Sequence, residues 1–552
     1  MTELSTRARK IRLKMKKLVQ KAKDHIRSGS SSSQTSPSDS SRPVHNIHQS
    51  RPSTISQPTL REILRYRYHF GVNLGSIFVL EPWLFPKFVG GASSELDAVT
   101  SSVKNNGVEA TRQKWEGHWK NAVTDQAFGW LAKSAKGTSI RLPVGYFTLG
   151  PEFCVGTPFE SAKDVYQNSW TIVKEFITRA RALGVGVLVD LHALPGGANT
   201  DMHSGSSTGK AELWSSKKNL ELAKKALLFI AKECKGLDGV IGIQLCNEAC
   251  WDAGKKGMYD FYTSVIQSIS EVDSEVPIYI SDAWDLSSAL KWTKERDWRS
   301  GKVPSNPVVI DTHKYYTFAE KHRSQSAQEL VRQIPNELGE LPNCSPSATH
   351  ISSGGETQIV IGEYSCVLDE KSWAKSPPSM KEELTRDFGR HQCNKWTEGC
   401  SAGSYFWTWK MEWMDGGGWG FVEQVKKGNI VAPAYMGWSA KEIREKSRKA
   451  SEQKNELMQK MVKDHIDYWT HEDPGKEFRH DLYEKGWDIG WEDAKAFFGS
   501  RGEQGGADKL GSLEIWIKKR MIESGERGEF LWEWEQGFRW GVKEFENCVE
   551  IA

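Results

Sequence analysis

The stretch VIGIQLCNEACWDAG, residues 240–254, decides the fold. Its first half, Val240 to Leu245, is an apolar run with the length of a strand covered on both faces, which is how a parallel sheet buried beneath helices reads. The run leads without a turn signal into Asn247 and Glu248. A carboxylate at the end of such a strand is costly unless it is hydrogen-bonded or opens onto a cavity. This strand end is therefore a candidate site in search of a partner.

Working outward, seven more segments of the same kind can be placed around 240–248: HFGVNLGS (69–76), TSIRLPVG (138–145), GVGVLVDLHA (184–193), PIYISDAW (277–284), PVVIDTHKY (307–315), QIVIGEYS (358–365) and GSYFWTWK (403–410). Helical patterns such as SWTIVKEFITRARALG and LELAKKALLFIAKECKG lie between several of them. Eight strand–helix units over ~340 residues imply an α/β chain folded as a closed (β/α)8 TIM barrel.

The flanks read differently. Residues 1–27 carry ten Lys or Arg against Glu3 and Asp24, with Ile11, Met15, Leu18, Ala22 and Ile26 at helical spacing. This basic amphipathic helix suits peripheral contact with an anionic membrane or organelle targeting, and a solvated charged tail remains the alternative. Residues 28–60 form a Ser- and Pro-rich linker unable to bury enough surface to fold. The barrel is expected over 61–438 and a small helical module over 439–552. In that module a charged helical stripe (Ile443, Leu457, Met461, Ile466) precedes two similar segments, YEKGWDIGW (483–491) and WEQGFRWGV (534–542). Their repeated glycines permit close helix packing, and their Trp residues read as docking rather than sugar-binding groups.

The 552 residues are 38% apolar with a net charge of +3, a profile that suits a globular protein with a real core and argues against a dedicated nucleic-acid binder. No run approaches the ~18 apolar residues of a membrane helix, and the N-terminus lacks a secretory signal, so a cytoplasmic location is expected. The nine cysteines are odd in number and lack metal-like spacing, which fits free thiols in a reducing compartment.

In a barrel of this kind the C-terminal strand ends face one mouth. Read in order they give Arg141, His192, Asn247 with Glu248, His313 with Tyr315, Glu363, and Trp407 with Trp409. Glu248 and Glu363, from the fourth and seventh strands, would face each other across it. Paired carboxylates are what glycoside hydrolysis needs: one protonates the leaving oxygen while the other attacks the anomeric carbon or activates water. Burial and mutual repulsion are expected to raise the pKa of one, supplying the acid. His192 and His313 are too few for a metal centre here, so no metal or organic cofactor is expected.

These strand ends resemble glycoside hydrolase family 5, in particular its fungal exo-β-1,3-glucanase branch, over about residues 68–436. GVNLGSIFVLEPW, HWKNAVTDQAFGWLAKSAKGTSIRLPVGYF, VDLHALPGGANTDMHSG, LCNEA, DTHKYYTF, IGEYS and FWTWKMEW follow in family order. The resemblance implies a retaining double displacement with Glu248 as general acid/base and Glu363 as nucleophile. It further implies that Asn247 holds the sugar 2-hydroxyl, that Arg141 and Tyr315 keep the nucleophile ionised, and that His192 and His313 contact sugar and acid/base. Trp407 would floor the first glycosyl subsite, with Glu81 gripping the terminal glucose and Asn199 lining the same subsite. Departures from the family pattern are Ala249 in place of Pro, Ile77 and Phe147 in place of Trp, and an altered loop at 194–205.

The expected activity is hydrolysis of a β-glucan oligosaccharide or β-glucoside. Two alternatives stand beside it: a steryl or ceramide glucoside hydrolase, motivated by the basic N-terminus, and a non-catalytic carbohydrate-binding scaffold on a hydrolase barrel. Oligomeric state is not legible.

Overall fold

All eight apolar segments form strands, and they pair in chain order, β1 to β8 and back to β1, closing a barrel. The strands are β1 (His69–Asn73), β2 (Ser139–Gly145), β3 (Gly186–Ala193), β4 (Val240–Gln244), β5 (Ile278–Ser281), β6 (Val308–Tyr316), β7 (Ile359–Leu368) and β8 (Ser401–Phe406). Every pairing is parallel. The computed structural model describes residues 55–296, 306–342, 344–353, 355–398, 400–412 and 416–551. The basic helix expected over 1–27 and most of the linker lie outside these residues. The linker expected to run to residue 60 gives way at Thr59, which caps the helix Leu60–Tyr66 in a capping box with Glu62.

Strand ends depart from the expected ones where the site begins. The β4 ladder finishes with Leu245 N–H donating to Tyr279 O at 2.9 Å, so Asn247 and Glu248 lie beyond it. β8 likewise stops at Phe406, one residue before Trp407. Asn247 and Glu248, past the end of their ladder, turn into the mouth, whereas Trp407 is still tied to β7 by its N–H, which donates to Tyr364 O at 2.8 Å. Register does the rest, setting Asn73 beside Arg141 and His313 beside Glu363. Amphipathic helices such as Ser169–Ala182 and Lys217–Cys234 lay Phe176, Ile177, Leu227 and Ile230 on the barrel wall.

The C-terminal helices dock on the opposite face, at the N-terminal ends of the strands. Tyr68 N–H donates to Lys509 O, Glu514 N–H donates to Gln358 Oε1, and Arg67 pairs with buried Asp508. Arg539 bridges Glu514 and Glu535, and Glu535 in turn accepts the Ser352 amide at 2.7 Å. The two glycine repeats fall on the helices His480–Phe498 and Leu531–Cys548, which meet glycine to backbone. A Cβ at Gly486, Gly490, Gly537 or Gly541 would lie 2.0–2.2 Å from a carbonyl oxygen of the facing helix, so only hydrogen fits there. Trp487, Trp491 and Trp534 are fully buried beside this seam.

The expectation of free thiols throughout is corrected at one pair. Cys344 and Cys400, Cα atoms 5.8 Å apart, are joined in a disulfide that ties the segment before β7 to the start of β8. The other seven cysteines are free. No helix among the described residues is long and apolar enough to cross a membrane.

Candidate active site

Arg141 is the hub of the mouth. Fully buried on β2, it donates from Nη1 to Glu363 Oε1 and to Asn73 Oδ1, both at 2.9 Å, from Nη2 to Asn247 Oδ1 at 2.6 Å, and from Nε to Gln244 Oε1 at 2.8 Å. Asp190 and Asp311 lie 3.1 and 3.6 Å from the same guanidinium. Burial works against its charge, but these three carboxylates outweigh burial and raise its pKa. The other oxygen of Glu363 accepts the Tyr315 hydroxyl at 2.7 Å. Glu363 is thus held by one fixed cation and one neutral donor, which together aim its carboxylate.

Glu248 is served by His313. Nδ1 of that imidazole lies 2.7 Å from Glu248 Oε1 and 3.5 Å from Glu363 Oε2, while Nε2 faces Asp311 Oδ2 at 3.2 Å. With a carboxylate at each nitrogen, the ring is an imidazolium donating on both sides. Burial opposes its charge, yet Glu363 and Asp311, with the hydrogen bonds to Asp311 and Glu248, raise it well above the ordinary histidine range. Burial would raise Glu248; the His313 hydrogen bond and charge overcome this and bring it down to about 2. The expectation that burial and mutual repulsion would raise the pKa of one of the two is therefore corrected for Glu248: burial does push it up, but His313, lying between the two carboxylates, lowers it.

His192 is the opposite case. Its Nδ1–H donates to Asp190 Oδ2 at 2.7 Å, and its Nε2 accepts from Asn247 Nδ2 at 3.3 Å. Burial drives its pKa far down, so it is neutral and this tautomer is self-consistent. Arg141 and His192 together fix which way the Asn247 amide faces.

At the far end of the mouth Glu81 is buried, accepting Trp83 Nε1–H at 2.9 Å while its own amide donates to Ser76 Oγ. Burial pushes its carboxyl up to about 7. Trp407 packs with Leu84, Phe85 and Met411 and lies parallel to His192. Asn199 supports the Glu248 loop: its amide donates to Glu248 O at 2.7 Å and to His203 Nε2 at 2.9 Å, and its carbonyl accepts from Ser204 and Asp201. Trp251, Trp284 and Phe318 are exposed on the loops after β4, β5 and β6, at the mouth end of the barrel. Donor atoms of Glu248, His313 and Glu363 all fall within 4.8 Å of one another. That spacing could also suit a cation, but the Arg141 guanidinium at Glu363 already supplies positive charge there.

The cellulase model of glycosyl hydrolase family 5 matches residues 99–378, half of the chain, and spans β2 to β7 of this barrel. The chain belongs to glycosyl hydrolase family 5. It is accordingly an O-glycosyl hydrolase. A second model, the glucan 1,3-beta-glucosidase 3 C-terminal domain, matches 450–549. Glucan 1,3-beta-glucosidase 3 of Schizosaccharomyces pombe is 33% identical over 480 residues, covering 86% of this chain and 95% of that protein. An uncharacterized glycosyl hydrolase of Saccharomyces cerevisiae is 31% identical over 497 residues, with 88% and 92% covered. The crystal structure of AoRut is 17% identical with a TM-score of 0.48, covering 66% of this chain and 98% of that one.

Residues of this family 5 mouth that the sequence reading missed are Asn73, Asp190, Gln244, Asp311 and His203. The two aspartates each stand two positions before a mouth histidine, in DLH on β3 and DTH on β6. Side chains two apart share a strand face, so this repeated spacing was the available signal. His203, whose Nε2 is 3.4 Å from Glu248 Oε2, comes from the loop that departs from the glucanase pattern.

Proposed function

We propose that this family 5 hydrolase is a retaining exo-β-1,3-glucanase or β-glucosidase, with Glu363 as nucleophile and Glu248 as general acid/base. The observation that carries the reading is the carboxylate pair itself: donor oxygens of both within 4.8 Å, one pinned by Arg141 and Tyr315, the other sharing a proton with His313. Retaining enzymes set their carboxyl groups roughly 5–5.5 Å apart, whereas inverting enzymes leave room for a water. Buried Glu81, bonded to Trp83 Nε1 on the loop after β1, suits a glycone end that grips a terminal sugar, which favours action at a chain terminus. The name borne by the Schizosaccharomyces pombe relative supports the β-1,3-glucan substrate.

In the first step Glu363 attacks the anomeric carbon as the bond to the leaving oxygen breaks. The proton shared by His313 and Glu248 passes through Glu248 to that oxygen. Forming the ester removes the negative charge of Glu363, which does more than any other charge to hold His313 protonated. Glu248, still ionised after giving up the proton, then takes one from an entering water, whose oxygen attacks the anomeric carbon and frees Glu363. Asn247, fixed by Arg141 and His192, presents its amide to the 2-hydroxyl, a contact that tightens in the oxocarbenium-like transition state.

Proton NMR of fresh product from a short β-1,3-glucan tests the reading. Glucose released first as the β-anomer by the wild type, and not by Glu363→Ala, is the expected result. First-formed α-glucose, or longer products from internal cleavage, would overturn retention or exo action respectively.

A second reading, hydrolysis of a glucolipid, is favoured by the exposed Trp251, Trp284 and Phe318, which suit an apolar aglycone. A higher kcat/KM on a steryl or ceramide glucoside than on laminari-oligosaccharides would select it.

A further inference from the structure

Three side chains from three helices of the C-terminal module meet at one buried point that the hydrolytic site does not use. Glu533, in the first turn of Leu531–Cys548, is fully buried. Its Oε2 lies 3.0 Å from Nε2 of His465, late in the helix Ala440–Glu472, and 3.2 Å from Nδ1 of His480, the first residue of His480–Phe498. The three donor atoms lie within 4.8 Å of one another.

The neighbouring guanidinium, that of Arg479, is turned away to Asp481, and Arg479 gives Glu533 only its backbone N–H, at 2.9 Å to Oε1. His465 and His480 are the side chains that face Glu533 Oε2, at 3.0 and 3.2 Å. His480 Nδ1 is buried and makes no hydrogen bond. The side chains at this buried carboxylate are two imidazoles, groups that bind a metal ion as readily as a proton.

We propose that His465, His480 and Glu533 form a divalent transition-metal site of the zinc class, with a solvent molecule as fourth ligand, that staples the three helices together. Two ligands each about 2.0–2.1 Å from a tetrahedral ion stand roughly 3.3 Å apart, close to the two separations found here. Two imidazoles and one carboxylate select zinc-like ions over calcium or magnesium, which take oxygen ligands. The supporting contacts have the form that ligands usually receive: the second carboxylate oxygen is held by a backbone amide, and the His465 ring is fixed by Tyr483 stacked 4.0 Å away. The module covers the barrel face opposite the mouth, so the ion would hold the fold and take no part in hydrolysis.

The test uses the full-length protein stripped with EDTA and dialysed against dilute ZnCl2, with metal measured by mass spectrometry and Tm recorded. The expected result is one zinc per chain in the wild type and in Glu363→Gln, with zinc raising Tm. His480→Gln, mild because that side chain is 23% exposed, should bind at least about tenfold less zinc at the same free concentration and show no zinc-dependent Tm rise. A wild type without stoichiometric zinc would identify the cluster as a metal-free packing of two imidazoles on a carboxylate and overturn the proposal. Zinc retained by His480→Gln, or lost from Glu363→Gln instead, would overturn it equally.

Discussion

His313 Nδ1 stands 2.7 Å from Glu248 Oε1, close enough for the two groups to share one proton. The raised pKa of His313 keeps that proton on the pair through neutral pH, so the alkaline limb of activity lies above the ordinary histidine range. In His313→Gln the proton must sit on Glu248 alone, and a carboxyl loses it at lower pH. The alkaline limb of kcat/KM on a β-1,3-linked disaccharide should move toward acid by at least about one unit. Superimposable alkaline limbs would refute the assignment.

Arg141 is proposed to serve both structure and catalysis, and Arg141→Met tests the two together. It strips a fully buried network of Glu363, Asp190 and Asp311 of its shared cation. Breaking a buried pair from one side costs about 3–5 kcal/mol, which urea unfolding should register. Arg141→Lys retains charge but not the fork of donors, so it should recover part of the stability while kcat stays about tenfold or more below wild type. Full recovery of kcat by lysine would show that geometry at Glu363 matters little.

The barrel was legible because parallel strands covered on both faces must be apolar throughout, and eight such runs cannot easily be read otherwise. Glu248 and Glu363 stood out for the same reason, as carboxylates that such strands do not tolerate without cause. Asp190 and Asp311 were hidden by attention to strand ends alone, although each shares a face with the histidine two residues later. The position of the proton was not readable, since it depends on His313 lying between two carboxylates contributed by other strands. Nor was the cysteine pairing, because no spacing announces which of nine residues come within reach. His465, His480 and Glu533 are dispersed over 68 residues without motif spacing, and only helix packing brings them together. The glycine repeat, by contrast, was legible in sequence because close helix contact leaves a fixed imprint on composition.

That helix contact makes a sharp prediction. A methyl group at Gly537 would sit 2.0 Å from Tyr483 O on the facing helix, with no flexible side chain to yield. Gly537→Ala must push the helices apart and should cost about 1–3 kcal/mol or more, seen as a lower urea midpoint. Gly236→Ala, where a Cβ meets nothing within 4 Å, serves as the control and should change stability by no more than about 0.5 kcal/mol. Equal effects at the two positions would mean that the seam tolerates separation.

Acid should also loosen the same module. Burial alone would raise the Glu514 carboxyl, but Arg539 and His350 bring it down to about 2, from an ordinary value of 4.5. A carboxyl depressed on folding contributes stability that is complete above the unfolded pKa and disappears as pH falls through the folded one. The window is therefore pH 4.5 to 2, and the depression corresponds to about 3 kcal/mol at neutral pH. Asp508, lowered against its burial by Arg501 and Arg67, shifts in the same direction and adds to the loss. Tryptophan fluorescence during urea unfolding at pH 7, 4.5 and 3 should show most of the decline below pH 4.5 in the wild type. Glu514→Gln, already less stable at pH 7, should decline by clearly less over the same interval. An equal decline in both would place the acid sensitivity elsewhere than the Glu514–Arg539 pair.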